Sequence, residues 1–328
     1  MLTMLNVRSW RAHAVLVLVL FGLALALGGC GANRPPVASF SATPDEGYET
    51  LVVRLDARMT RDPDGDPLVY AWHFDDGTTA SVAVLDRPFS AGTHEVRLVV
   101  TDGRGSVSEA SRTIEVRDVP DGFVVRHCLW TWRGQAMACD LLIPWDLYQT
   151  YRGRLRTTIT AATEYGDYVS DPLDDPTLED YAGILWNLAG GAKEAFVDLT
   201  LAFVQGVVAY RVDPTGQEWP WYPLETLTDA EGDCEDTAIL FVSLLRARDV
   251  PSSLAFVDTE GDRIPDHVLV LVPVSAAWAA RLDCPGDVVE IGGTLYAVAE
   301  TAADGAPTPF GCDPWDLSPL DVARTWPF

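Results

Sequence analysis

Residues 221–247 read WYPLETLTDAEGDCEDTAILFVSLLRA, and this stretch decides how the second half of the chain folds. From Gly232-Asp233-Cys234-Glu235-Asp236 the polar residues give way to Thr237-Ala238-Ile239-Leu240-Phe241, a pattern that predicts a helix extending to about Arg248. Just upstream, Trp219-Pro220-Trp221-Tyr222-Pro223 is too rich in proline for regular structure. Cys234 therefore falls in the first turn of a helix, after a glycine. Unpaired backbone N–H groups and the positive end of the helix dipole favour a thiolate there.

A nucleophilic cysteine needs a base, and the chain has five histidines. His13 lies just before the N-terminal apolar run, and His73 and His94 lie in a β-rich first half. His127 adjoins Cys128 and reads as a surface or packing residue. His267 opens the apolar run HVLVLVPV after the polar loop 260–266, which places an imidazole at a strand end beside a loop. Cys234 and His267 are thus the expected nucleophile and base.

Strands are expected in SLAFVD from 253, HVLVLVPV from 267, DVVEI from 287 and TLYAVAET from 294. Helices are expected earlier, over 146–156, 177–188 and 193–210. Helices first and strands after them predict an α+β domain over residues 119–328.

The cysteines are Cys30, Cys128, Cys139, Cys234, Cys284 and Cys312. Arg8 and Arg11 precede the apolar run 14–27, which is short for a membrane span and closes on Leu27-Gly28-Gly29-Cys30. That tetrad resembles a lipobox. It implies a signal peptide over 1–29, lipid on Cys30, and a protein tethered to a membrane outside the cytoplasm. An odd number of cysteines then remains for an oxidising compartment. Cys128 and Cys139 flank a hairpin turning at Arg133-Gly134, and Cys284 and Cys312 flank another. Pairing these neighbours as disulfides leaves Cys234 free.

Residues 33–118 read as a separate all-β sandwich. LVVRLDA from 51, LVYAWHF from 68, EVRLVVTD from 95 and ASRTIEV from 110 alternate with turn clusters at 62–67 and 75–77. DPDGDPLVYAWHFDDGTTA and GTHEVRLVVTDGRGSVSEASRTIEV resemble a PKD domain, an immunoglobulin-like fold that implies a spacer or adhesion module. Asp62, Asp64 and Asp66 read either as an acidic turn or as calcium ligands.

In the second domain, WYPLETLTDAEGDCEDTAILFVSLLRA, DHVLVLV and TLYAVAET resemble the transglutaminase-like cysteine-peptidase superfamily, in its prokaryotic G-D-C-E-D form. The resemblance implies a papain-like core with a triad of Cys234, His267 and Glu300. Asp283 and Asp287 are the alternatives for the acid. It also implies that the acids beside the cysteine, here Asp233 and Glu235, bind calcium. Acids complementing a helix dipole explain the same residues. Gln205, on a helix before the Pro-rich stretch, is a candidate oxyanion donor or an ordinary polar residue. No role emerges for Glu225.

Charge narrows the partners. With 23 Lys+Arg against 48 Asp+Glu the formal net charge is −25, so nucleic acid is not an expected partner and any membrane contact is through lipid. The expected activity is acyl transfer on the amide of a protein or peptide, with hydrolysis preferred to cross-linking. The chemistry itself requires no cofactor, although calcium is a candidate. The other class is a non-catalytic surface-binding module with an inactive transglutaminase-like fold.

Overall fold

The computed structural model describes residues 32–156, 165–213, 219–259, 262, 264–302, 307–315 and 322–327. The expected signal peptide and Cys30 lie outside the described residues. The chain divides into two compact units at Asp121 and Gly122.

The first unit packs two sheets face to face. Ser41–Thr43, Leu51–Asp56 and Val84–Phe89 form one, while Glu46–Tyr48, Val107–Arg117, Gly92–Asp102, Leu68–Phe74 and Thr79–Ala80 form the other in that spatial order. Leu51–Asp56 alternates between buried and exposed positions, as a strand covered on one face does. Its inward residues meet Trp72, Leu98 and Ile114 in a single core. Trp72 stands edge-on to Phe40 at 4.9 Å and donates its indole N–H to Val82 O at 2.7 Å, so its polar atom is satisfied in the interior. The acidic turn is self-organised. Asp62 Oδ1 accepts from the backbone N–H groups of Asp64 and Asp66, while Arg34 pairs with Asp64 and Arg104 with Asp66.

The second unit opens with the hairpin Phe123–Trp132 and Gln135–Pro144. Arg133 and Gly134 turn it with φ of 49° and 75°, the pair of positive values that matches strand twist in a two-residue loop. Cys128 and Cys139 face each other across this hairpin as expected, but both are free thiols, which corrects the disulfide expected there. Residues flanking a two-residue turn form a hydrogen-bonded pair, and counting outward by twos makes 128 and 139 such a pair as well. The Cys139 thiol meets Cys128 in a side-chain hydrogen bond, which together with burial pushes it well up. The Cys284–Cys312 disulfide does form.

Helices Trp145–Arg152, Asp175–Leu188, Lys193–Val207 and Cys234–Arg246 follow the apolar periodicity, with ends that differ from the sequence reading. The first stops at Arg152 rather than Arg156. The third stops at Val207, because Ala209–Tyr210 pairs in parallel with Glu231–Gly232. The Pro-rich stretch also ends in an element the sequence reading omits, the helix Pro223–Asp229, whose first residue is a proline with no intrahelical N–H to lose. The sheet runs Val289–Ile291, Thr294–Ala299, His267–Pro273, Ser253–Val257 and Val322–Pro327 in spatial order, antiparallel throughout. Its last strand was not expected from the sequence.

Gly206, one residue before the end of its helix, lets that helix lie against the hairpin. A Cβ there would sit 2.6 Å from Trp130 Cβ. Gly206→Ala is therefore expected to lower unfolding free energy by about 1–3 kcal/mol, the usual cost of overpacking a core, despite alanine's better helix propensity. Urea denaturation measures this, and a stabilised variant would show that helix and hairpin do not pack this closely.

Candidate active site

The G-D-C-E-D block is a helix cap with a cysteine set into it. Asp233 is the N-cap of Cys234–Arg246, and its own N–H donates to Asp236 Oδ2 at 3.3 Å in a capping box. Asp236 Oδ1 accepts from the backbone N–H of Trp221 at 2.6 Å, tying the Pro-rich stretch to the cysteine helix. Gly232 is required by this arrangement, since a Cβ there would lie 2.7 Å from Asp236 Cβ. The preceding helix is held in the same way. Glu225 accepts from Tyr222 N–H at 3.1 Å and pairs with the Arg156 guanidinium, which assigns the Y-P-x-E-T-L glutamate a structural task.

His267 begins its strand, and its Nε2 lies 2.8 Å from Glu300 Oε2. The carboxylate at this imidazole is that of Glu300, while Asp287 accepts from Asp313 N–H. Glu300 is held at both ends. Its Oε1 accepts from Ala302 N–H at 2.7 Å, and its backbone carbonyl accepts from Gln205 Nε2 at 2.6 Å. Gln205 Nε2 also donates to Thr308 O at 3.0 Å. Both hydrogens of this amide are thus engaged by backbone carbonyls, which corrects the oxyanion expectation for Gln205: it anchors Glu300. Thr237 and Thr301, which the sequence reading passed over, join their hydroxyls at 3.0 Å and link the cysteine helix to the Glu300 segment.

The backbone N–H of Val268, the residue after His267, reaches the Cys234 sulfur, which sets the cysteine beside the start of the strand that His267 opens. With Nε2 turned to Glu300, Nδ1 is the ring nitrogen left for the thiol. The thiol donates to Glu235 Oε2 at 3.3 Å. Burial pushes the Cys234 thiol well up, Glu235 and Asp233 add to this, and the Val268 N–H opposes it. Burial also pushes Glu235 up to about 10, together with Asp233 and Asp236, and it pushes Asp236 up in the same direction.

Asp213, missed in the sequence because it lies 20 residues upstream in the fold's return from another strand, completes a carboxylate cluster with Asp233 and Glu235. Each offers an oxygen within 4.8 Å of the others. Glu235 is 3% exposed, and its Oε1 is buried without a hydrogen-bond partner. Hard carboxylate oxygens around such an atom fit a calcium ion. His127 lies apart, on the hairpin, with Nδ1 at 2.8 Å from Asp140.

Residues 33–117 match the PKD domain and residues 190–281 match the transglutaminase-like superfamily, a span that holds Cys234 and His267 and stops short of Glu300. Among solved structures, a PKD domain from Vibrio anguillarum is 30% identical, with 26% of this chain and 99% of that one covered at a TM-score of 0.24. A candidate cysteine protease from Cytophaga hutchinsonii is 12% identical, covering 80% of this chain and 73% of its own at 0.28. A candidate protease from Parabacteroides distasonis is 11% identical, with 72% and 64% covered at 0.29. The chain thus joins a PKD domain to a domain of the transglutaminase-like superfamily.

Proposed function

We propose that the chain is a thiol peptidase or amidase working through Cys234, His267 and Glu300. The observation that carries this reading is the 2.8 Å bond between His267 Nε2 and Glu300, which orients the ring and leaves Nδ1 as the nitrogen to serve the thiol. His267 Nδ1 takes the thiol proton as sulfur attacks the amide carbonyl. The imidazolium then returns that proton to the leaving amine as the C–N bond breaks, and a thioester remains. Water attacks the thioester with His267 as base, releasing acid and free thiol. An amine in place of water gives cross-linking by the same route. First-turn N–H groups of the Cys234 helix, which lack intrahelical acceptors, are the donors for the developing oxyanion.

Asp213, Asp233 and Glu235 would hold calcium. When bound, the ion supplies positive charge that offsets the acids beside the sulfur. The PKD domain serves as spacer or adhesion module, and the tetrad ending in Cys30 supports lipid anchoring outside the cytoplasm. One feature favours a non-catalytic surface module instead, namely that burial, and after it the acidic neighbours, push the thiol well up.

Iodoacetamide labelling separates these readings. At neutral pH and with calcium present, His267→Ala should slow labelling of Cys234 at least about tenfold, while His127→Ala leaves the rate unchanged. Indifference to His267→Ala would favour the non-catalytic module.

Chelation tests the cation. Removing calcium should slow Cys234 labelling and lower Tm, and restoring it should reverse both, with stabilisation of about 2.7 kcal/mol at a hundredfold excess over Kd. Asp213→Asn should raise the calcium concentration needed, whereas Asp62→Asn should not. Identical labelling and melting with and without chelator would leave these acids as dipole partners alone.

A further inference from the structure

Trp315 lies against His267, with ring centroids 4.5 Å apart and planes at 50°. It is 36% exposed, so one side meets the imidazole and another meets solvent. Nothing in the acyl-transfer steps uses an indole here, yet its loop is fastened at close intervals. Gly311 N–H donates to Val298 O at 2.9 Å, two residues before Glu300, and a Cβ on Gly311 would lie 2.6 Å from Leu282. Cys312 is bonded to Cys284. Asp313 N–H donates to Asp287 at 3.0 Å, and Trp315 N–H donates to Asp313 at 2.9 Å. At the start of the same loop, the Thr308 carbonyl takes the second Gln205 hydrogen.

We propose that Trp315 is a positioning residue that covers the His267–Glu300 hydrogen bond, and that the Cys284–Cys312 disulfide holds it in place. This rests on the Cys-His-Glu reading above. Water competes for a histidine–carboxylate bond and raises the local dielectric, and an indole over the ring reduces both effects. The indole also limits rotation of the imidazole about its side-chain torsions, keeping Nδ1 toward the sulfur. Trp315 touches no reacting atom. The disulfide reaches the chemistry through it, because Cys312 is three residues before the indole and Cys284 belongs to the segment that also supplies Asp287.

The test uses the full chain with calcium present and reads Cys234 labelling by iodoacetamide together with Tm. Trp315→Ala should slow labelling about tenfold, a loss typical of residues that orient a reactive group, and Trp315→Phe should restore most of it. The paired substitution Cys284→Ser and Cys312→Ser should slow labelling to a similar extent. Adding Trp315→Ala to that pair should cost nothing further, since both act through one contact. Labelling of Trp315→Ala within twofold of the wild type would overturn the proposal, as would no rescue by phenylalanine or independent, multiplying losses. If Trp315→Ala does not fold, the paired serine variant carries the test, and wild-type labelling of that variant overturns it. His267→Ala in the same series separates the two ideas. If it slows labelling while Trp315→Ala does not, only this inference fails; if neither does, the Cys-His reading fails first.

Discussion

Asp236 accepts from the backbone N–H groups of Asp233 and Trp221 while only 2% exposed, and the placement of everything around Cys234 follows from that carboxylate. One oxygen closes the cap of the cysteine helix, and the other fixes the Pro-rich segment that precedes it. Because the acceptor is a charged-capable group in the interior, each backbone donor it holds is worth more than it would be in water. The geometry also dictates its neighbours, since Gly232 is the only residue type that clears Asp236 at that approach.

This construction concentrates acid at the sulfur. Asp233, Glu235 and Asp236 are each at most 6% exposed, and ionising all of them next to a thiolate without compensation would cost several kcal/mol per charge. The protein therefore faces a choice between protons and a cation in this pocket. The Asp213 carboxylate, which follows the strand Ala209–Tyr210 paired in parallel with Glu231–Gly232, joins Asp233 and Glu235 in a set of three whose oxygens lie within 4.8 Å of one another.

The features legible in the sequence are those set by local pattern. The cysteine helix declared itself through its polar cap and apolar run, His267 through its place at the head of an apolar strand, and the PKD unit through alternating strands and aspartate-glycine turns. Glu300 was reached by resemblance, and the structure sets its carboxylate at the His267 ring. What escaped depends on distant partners. Gln205 looked like a free amide because the carbonyls it serves are 95 and 103 residues away. Asp213 and Trp315 had no local mark at all. The pairing of Cys128 with Cys139 was legible, but that both stay thiols was not, because strand register brings two side chains together without deciding whether a bond forms between them. The helix at Pro223 was hidden by counting prolines as breakers without asking which position each one takes.

The two bonds of Gln205 have a consequence for how this chain folds. They join the helix Lys193–Val207 to segments that follow the sheet strands, so they form only after those long loops have closed. Contacts of such sequence separation are late events on a folding pathway. Glu300 acquires its final position with them, and His267 with Glu300. A nascent or partly folded chain therefore carries Cys234 before the Glu300 segment has been anchored by Gln205, and the surroundings of the sulfur are complete only with the tertiary structure.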